Sequence, residues 1–231
     1  MGLKRKPPDK NVRRVASIGS NSRSAVRNKN GRTIQCESFS GERKLTLIFD
    51  RDPTVRDYQS QPIRIPYDDS EGKKHTYVPD FMVWKIDGSI EIHEVTRSER
   101  RILPNAQSRE AGAKKHCQKE GWSYVVHTED SLPNDTEASN LLELYMFRPT
   151  VYYRSDVAVA VCEKLSDGKR LSLPRLIHEI SQELKLPVGV VSPGLYHLLW
   201  YGKIETDLRS LIFIDGAPLS RTLVWLPVQE G

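Results

Sequence analysis

At 231 residues, 38% hydrophobic and 28% charged, the chain has room for one large or two small domains of ordinary globular composition. No stretch approaches the roughly 18 apolar residues of a membrane span, and the N-terminus lacks the apolar core of a secretion signal, so a cytoplasmic location is expected. Three cysteines far apart, Cys36, Cys117 and Cys162, form no CxxC pair and argue against a disulfide framework or structural zinc.

The net charge of +5 is unevenly spread. Lys4, Arg5, Lys6, Lys10, Arg13, Arg14, Arg23, Arg27, Lys29 and Arg32 fall within residues 1–34 against a single acid, Asp9. The rest of the chain is mildly acidic. A basic segment without helical or strand period is expected to be a disordered arm that neutralises nucleic-acid phosphates through those ten side chains.

The pattern changes at Glu37. Glu42, Arg43 and Lys44 followed by Leu45, Leu47, Ile48 and Phe49 predict a helix over Glu37–Phe49, ended by Pro53. Strands are predicted over 62–67, 75–78, 81–86 and 89–96, with Asp87-Gly88 as a hairpin turn. A helix over 105–120 stops at Gly121, and 122–127 is a further strand. Residues 130–137 are turn-like, and the apolar run 141–147 joins two domains. Helix, antiparallel strands, helix, strand is an α/β core with a mixed sheet flanked by helices.

Leu173 to Leu184 carries Leu176, Ile177, Ile180 and Leu184 at helical spacing. Ser192-Pro193 marks a second helix start, running to Trp200. Ile212–Ile214 and Thr222–Trp225 then flank Asp215-Gly216-Ala217-Pro218 as a hairpin. Two helices followed by a hairpin form a winged-helix pattern. The expected domains are an arm (1–34), a catalytic α/β core (35–148) and a winged-helix-like domain (149–231).

Pro79-Asp80-Phe81 and Glu94-Val95-Thr96 carry the chemistry. The hairpin at Asp87-Gly88 returns the chain so that both carboxylates reach the same end of the sheet. Glu94 and Thr96 share one strand face with Ile90 and Ile92. A carboxylate there is costly unless it binds a cation or is hydrogen-bonded. Two carboxylates and a backbone carbonyl suit a hard divalent cation, which activates water and stabilises charge on a phosphodiester. His75, His93, His116 and His127 lack zinc-ligand spacing and read as packing or surface residues.

From about Glu37 to His127 the chain resembles the TnsA endonucleases. The resemblance rests on Glu37-Ser38, Glu42-Arg43, Asp52-Pro53-Thr54-Val55, Gln61-Pro62, Tyr77-Val78-Pro79-Asp80-Phe81, Asp87-Gly88, Glu94-Val95 and Gly121-Trp122. It implies a restriction-endonuclease-like core of the PD-(D/E)xK kind. The implied activity is cutting double-stranded DNA at the 5′ ends of a transposon, beside a DDE-type transposase subunit and an AAA+ ATPase regulator. It further implies Mg²⁺ (or Mn²⁺) held by Asp80, Glu94, the Val95 carbonyl and Glu42. Thr96 stands where that family usually has lysine, and Lys114 on the following helix is the expected substitute. The compact length and the Glu-Val-Thr variant suit an RNA-guided element. Two alternatives explain the same residues: a stand-alone resolvase or repair nuclease, and a DNA-binding adaptor with reduced catalysis.

Overall fold

The computed structural model describes residues 24–38 and 41–228. The chain divides into two compact units between Pro133 and Asn134. The expected boundary is at 148, and the helix that follows Pro133 groups with the second unit.

The first unit opens with a hairpin, β1 (Ser24–Arg27) and β2 (Thr33–Cys36), with Val26 paired to Ile34. This corrects the expected arm, since residues 24–34 are folded. Val26, Ile34 and Cys36 alternate inward and are buried in the core. Helix α1 (Glu42–Arg51) follows, starting five residues later than its sequence pattern suggests. It stops at Asp52, whose extended backbone is what a residue before proline prefers. Strands β3 (Val55–Ser60), β4 (Ile65–Asp68), β5 (Lys74–Tyr77), β6 (Phe81–Lys85) and β7 (Ile90–Val95) come next. A short helix α2 (Ser98–Arg101), the long α3 (Pro104–Glu120) and strand β8 (Ser123–His127) complete the unit.

The main sheet has the order β3-β6-β7-β8. Its first three strands are antiparallel, and β7 and β8 run parallel, joined by the helical crossover that parallel pairs need. Strand β6 is buried on both faces. Phe81 and Val83 pack with Leu45 and Phe49 of α1, while Met82 and Trp84 pack with Ile92 and with Cys117 of α3. Strands β4 and β5 form a separate hairpin against α3, where Ile65 and Ala113 are fully buried. The approach is close: a side chain at Gly112 would run into the Tyr67 Cβ. Gly121 ends α3 in the left-handed conformation, φ +71°.

The second unit contains α4 (Asp135–Tyr145), α5 (Ser155–Lys164), β9 (Leu171–Ser172), α6 (Leu173–Leu184), α7 (Val188–Trp200), β10 (Glu205–Thr206), β11 (Phe213–Ile214), β12 (Ala217–Pro218) and β13 (Leu223–Trp225). Helix α6 matches its expected span, with Leu173, Leu176, Ile177 and Ile180 buried. Helix α7 begins at Val188, one turn before Ser192, so Pro193 lies inside it. Proline there leaves the carbonyl of Gly189 without its helical partner, and Gly189 is exposed to water. The expected hairpin is also redrawn. Strand β11 pairs with β12 around Asp215 and Gly216, both with positive φ, whereas β13 pairs with β9 and β10. The fully buried Val224 places β13 at the centre of that small sheet.

Candidate active site

Asp80 and Glu94 meet because of hairpin register. Phe81 pairs with His93, so the next position sets Asp80 opposite Glu94. The Asp80 side chain leaves the hairpin ladder and accepts a 2.7 Å hydrogen bond at Oδ2 from the Val95 amide. Glu94 is only 7% exposed. Its Oε1 lies 3.0 Å from Nη2 of Arg109 on α3. Its Oε2 is buried with no hydrogen-bond partner among the described residues. Burial, and next the charge of Asp80, hold the Glu94 carboxyl well above the usual carboxylate range; Arg109 opposes this, and the charge of Glu42 adds to it.

Glu42 is buried at the first turn of α1, where a carboxylate suits the helix dipole. Its Oε2 accepts from the Glu37 amide at 2.9 Å. The start of α1 reaches β7 closely: a Cβ on Gly41 would lie 2.8 Å from Cγ1 of Val95. Cys36 records the same convergence. Its thiol is pushed up to about 12 by burial first, then by the charges of Glu42 and, more weakly, Asp80.

The expected ligand set is nevertheless not closed. Among the described residues no three His, Cys, Asp or Glu side chains stand together around an ion-sized space. Glu42 Oε2 accepts from the Glu37 amide, and its charge reaches Glu94. The donors that fit a hard cation are the Asp80 carboxylate, the unpartnered Glu94 Oε2 and a backbone oxygen at Val95. Magnesium accepts such an open set, keeping several waters.

Thr96 continues β7, its amide donating to the His127 carbonyl at 2.9 Å. Lys114 is not the cation beside Glu94. It is exposed and pairs with Glu110 at 2.8 Å, and Glu110 also takes a two-pronged contact from Arg101, at 2.8 and 2.7 Å. Positions 109 and 114 are five residues apart, about 140° around the helix, so the cation that α3 brings to Glu94 is Arg109. The Arg109 guanidinium also sits 5.5 Å from the Tyr77 ring centroid.

Gln61, one of the residues that carry the resemblance, has a place at the site that the resemblance did not assign. Its backbone is left-handed, φ +48°. Its amide donates to the Asp80 carbonyl at 2.8 Å, and its Nε2 donates to Glu37 Oε1 at 2.8 Å. Gln61 thus links the chain just before β6 to the segment that holds Glu42, and its strained backbone marks a constrained position.

His93 and His127 are packing residues on the α1 side of the sheet. Their rings stack at 9°, with Nδ1 of His93 2.8 Å from Nε2 of His127. Burial, then the charges of His127 and Lys85, lower the His93 imidazole to about 3, and its Nε2 lies 3.0 Å from Oε2 of Glu91. Of the ten basic residues read as a DNA arm, Lys4, Arg5, Lys6, Lys10, Arg13, Arg14 and Arg23 lie outside the described residues. Arg27 is in β1. Lys29 and Arg32 are turned inward: Lys29 Nζ donates to the Asp52 and Val55 carbonyls at 2.7 and 2.8 Å, and Arg32 pairs with Asp57 at 3.0 Å. These two hold the hairpin to β3 rather than reaching outward.

Residues 52–129 match the family model of the TnsA-like endonuclease N terminal. This region is similar to the TnsA-like endonuclease N-terminal domain. No curated protein matches the chain. The TnsA-like region contains Gln61, Asp80, Glu94, Val95, Thr96, Arg109 and Lys114, while Glu42 and the β1–β2 hairpin precede it. Its mixed sheet flanked by helices fits a restriction-endonuclease-like core. Among the described residues no helix is long and apolar enough to cross a membrane.

Proposed function

We propose that the chain is a cytoplasmic, metal-dependent DNA endonuclease that cuts at transposon ends, working with a DDE-type transposase and an AAA+ ATPase regulator. The observation that carries this reading is Glu94: a buried carboxylate, opposite Asp80, with one oxygen left without a hydrogen bond, inside the TnsA-like region. A buried charge left so is costly and needs a reason. A cation answers it. When bound, Mg²⁺ supplies an activated water and charge stabilisation on the phosphate.

The chain's own residues do the positioning. Asp80 is held in place by the Val95 amide and Glu94 by Arg109. Gly41 lets α1 close against Val95 and brings the Glu42 field to the pair. In the reaction a water oxygen bonds to phosphorus, one P–O ester bond breaks, and the leaving oxygen takes a proton. A winged-helix-like reading of the second unit rests on α5, β9, α6, α7, β10 and β13 in that chain order, with the three strands in one sheet and β11–β12 as a separate hairpin. Helix α7 has no Arg, Lys, Asn or Gln to read base edges, which favours a protein partner over DNA on that helix.

The test is cutting of end DNA by the full chain with its transposase and Mg²⁺. Asp80→Ala should abolish it, a loss of about a thousandfold or more. Undiminished cutting by that variant defeats the assignment. One observation favours the adaptor as a second reading: among the described residues the acidic side chains do not close into a three-ligand group. Calorimetric titration with Mn²⁺ separates the two, since an adaptor shows no binding that depends on Asp80 and Glu94.

A further inference from the structure

The cation beside Glu94 has a place in the fold that a simple ion pair does not need. Helix α3 is fixed along one side: Ala113 and Cys117 are buried, and Gly112 abuts Tyr67. The base of Arg109 is therefore held still. Its side chain remains 33% exposed, resting near the Tyr77 ring, with its tip on the nearly buried Glu94. The contact differs from the neighbouring Arg101–Glu110 pair. Arg101 engages its carboxylate with Nε and Nη2 together, whereas Arg109 meets Glu94 through Nη2. Arg101 on α2 and Lys114 on α3 pair with Glu110 instead. Thr96 shares the strand face of Glu94 and carries no charge.

A phosphodiester under attack gains negative charge on its nonbridging oxygens. A guanidinium already placed at the edge of a water-poor site stabilises that charge strongly. We propose that Arg109 is the phosphate-binding cation of this site, holding Glu94 in the free chain and turning to a nonbridging oxygen of the scissile phosphate when DNA is bound. The proposal rests on the nuclease reading and assigns its missing positive charge. The movement is a rotation of the Arg109 side chain about its own bonds, with α3 stationary. Arginine suits it because the planar fork keeps donors for an oxyanion when one nitrogen changes partner.

The test uses the full chain carrying Arg109→Gln, Arg109→Lys, or Arg109→Gln together with Thr96→Lys. Two quantities are read on each: Mn²⁺ affinity by calorimetry, and single-turnover cutting of end DNA with the transposase. Arg109→Gln should bind Mn²⁺ at least as tightly as the parent, because a cation competing for Glu94 has gone. It should cut about 100- to 1,000-fold more slowly. Arg109→Lys should retain part of the rate, and Thr96→Lys should restore about tenfold to Arg109→Gln by returning a cation to the same face. Cutting by Arg109→Gln within about threefold of the parent overturns the proposal. So does joint loss of Mn²⁺ binding and cutting, which makes Arg109 a support for Glu94 only. If Arg109→Gln melts early, the comparison passes to Arg109→Lys, whose charge preserves the ion pair: an unaltered rate with altered Mn²⁺ affinity then overturns it. A parent chain that neither binds Mn²⁺ nor cuts removes the nuclease reading itself, an outcome distinct from failure at Arg109.

Discussion

The two units bury polar groups in different ways. In the C-terminal unit, Asn140, Ser181, His197 and Thr222 are buried, and each bonds to main chain. Asn140 donates to the Leu208 and Ser210 carbonyls and accepts from the Ile212 amide. Ser181 donates to the Leu186 carbonyl, His197 bonds the Phe147 carbonyl, and Thr222 donates to the Ile212 carbonyl. These side chains close gaps in the backbone ladder. Among the described residues of the N-terminal unit, the acids Glu42, Asp50 and Glu94 are buried. Asp50 accepts at Oδ1 from the Tyr58 hydroxyl and the Lys29 amide, both within its own unit, and its Oδ2, like Glu94 Oε2, is buried with no hydrogen bond among the described residues. Glu94 keeps an unsatisfied oxygen beside a like charge. A buried polar group that completes the backbone is architecture; one held against its own electrostatics points to chemistry.

Three substitutions sharpen that contrast. The largest effect is expected at Glu94→Gln, which removes a ligand and a buried charge together. Cutting should fall about a thousandfold, while the urea midpoint holds or rises, because the folded state disfavours the ionised form. A fall in both would place Glu94 with the architectural group. Next is Asn140→Ala, which strands two carbonyls and one amide. It should cost about 3 kcal/mol in denaturant unfolding of the C-terminal unit and leave Mn²⁺ affinity unchanged. The smallest is Glu110→Gln, which breaks the Arg101–Glu110–Lys114 network for about 1 kcal/mol. Those partners, Arg101 first, lower the Glu110 carboxyl to about 2 from the ordinary 4.5. Its contribution is complete above about 4.5 and disappears as pH falls through about 2. Urea melts of parent and variant should therefore differ at pH 7 and converge towards pH 2. A constant gap would assign the effect to packing.

The hairpin was legible because its signals are local. Asp87-Gly88 fixes the turn, and alternation then brings Asp80 and Glu94 to one end of the sheet. Gly121 stops α3 for the same kind of reason. Strand β3 was not legible: Val-Arg-Asp-Tyr-Gln-Ser lacks a clean period, and it is held by Tyr58, whose partner Asp50 lies on another element. Helix α4 carried a readable sign that the acidic composition of 130–137 obscured, since Asn134 caps it by accepting from the Glu137 amide. Arg109 was out of reach in principle. It faces Glu94 through the angle at which α3 crosses the sheet, and a sequence favours Lys114 equally. Lys29 and Arg32 show the same limit, because charge count says nothing of direction.

The tip of the β6–β7 hairpin lies at the opposite end of those strands from Asp80 and Glu94. Lys85 and Ser89 close it, with Gly88 at φ +89° and open space where its side chain would be. The pairing from Trp84–Ile90 to Phe81–His93 stands between that tip and the carboxylates. Extra residues grafted at Gly88 would lengthen the loop without shifting those pairs. The tip is therefore a natural attachment point for a fluorophore or affinity handle, letting assembly on DNA be followed in a chain whose chemistry is untouched.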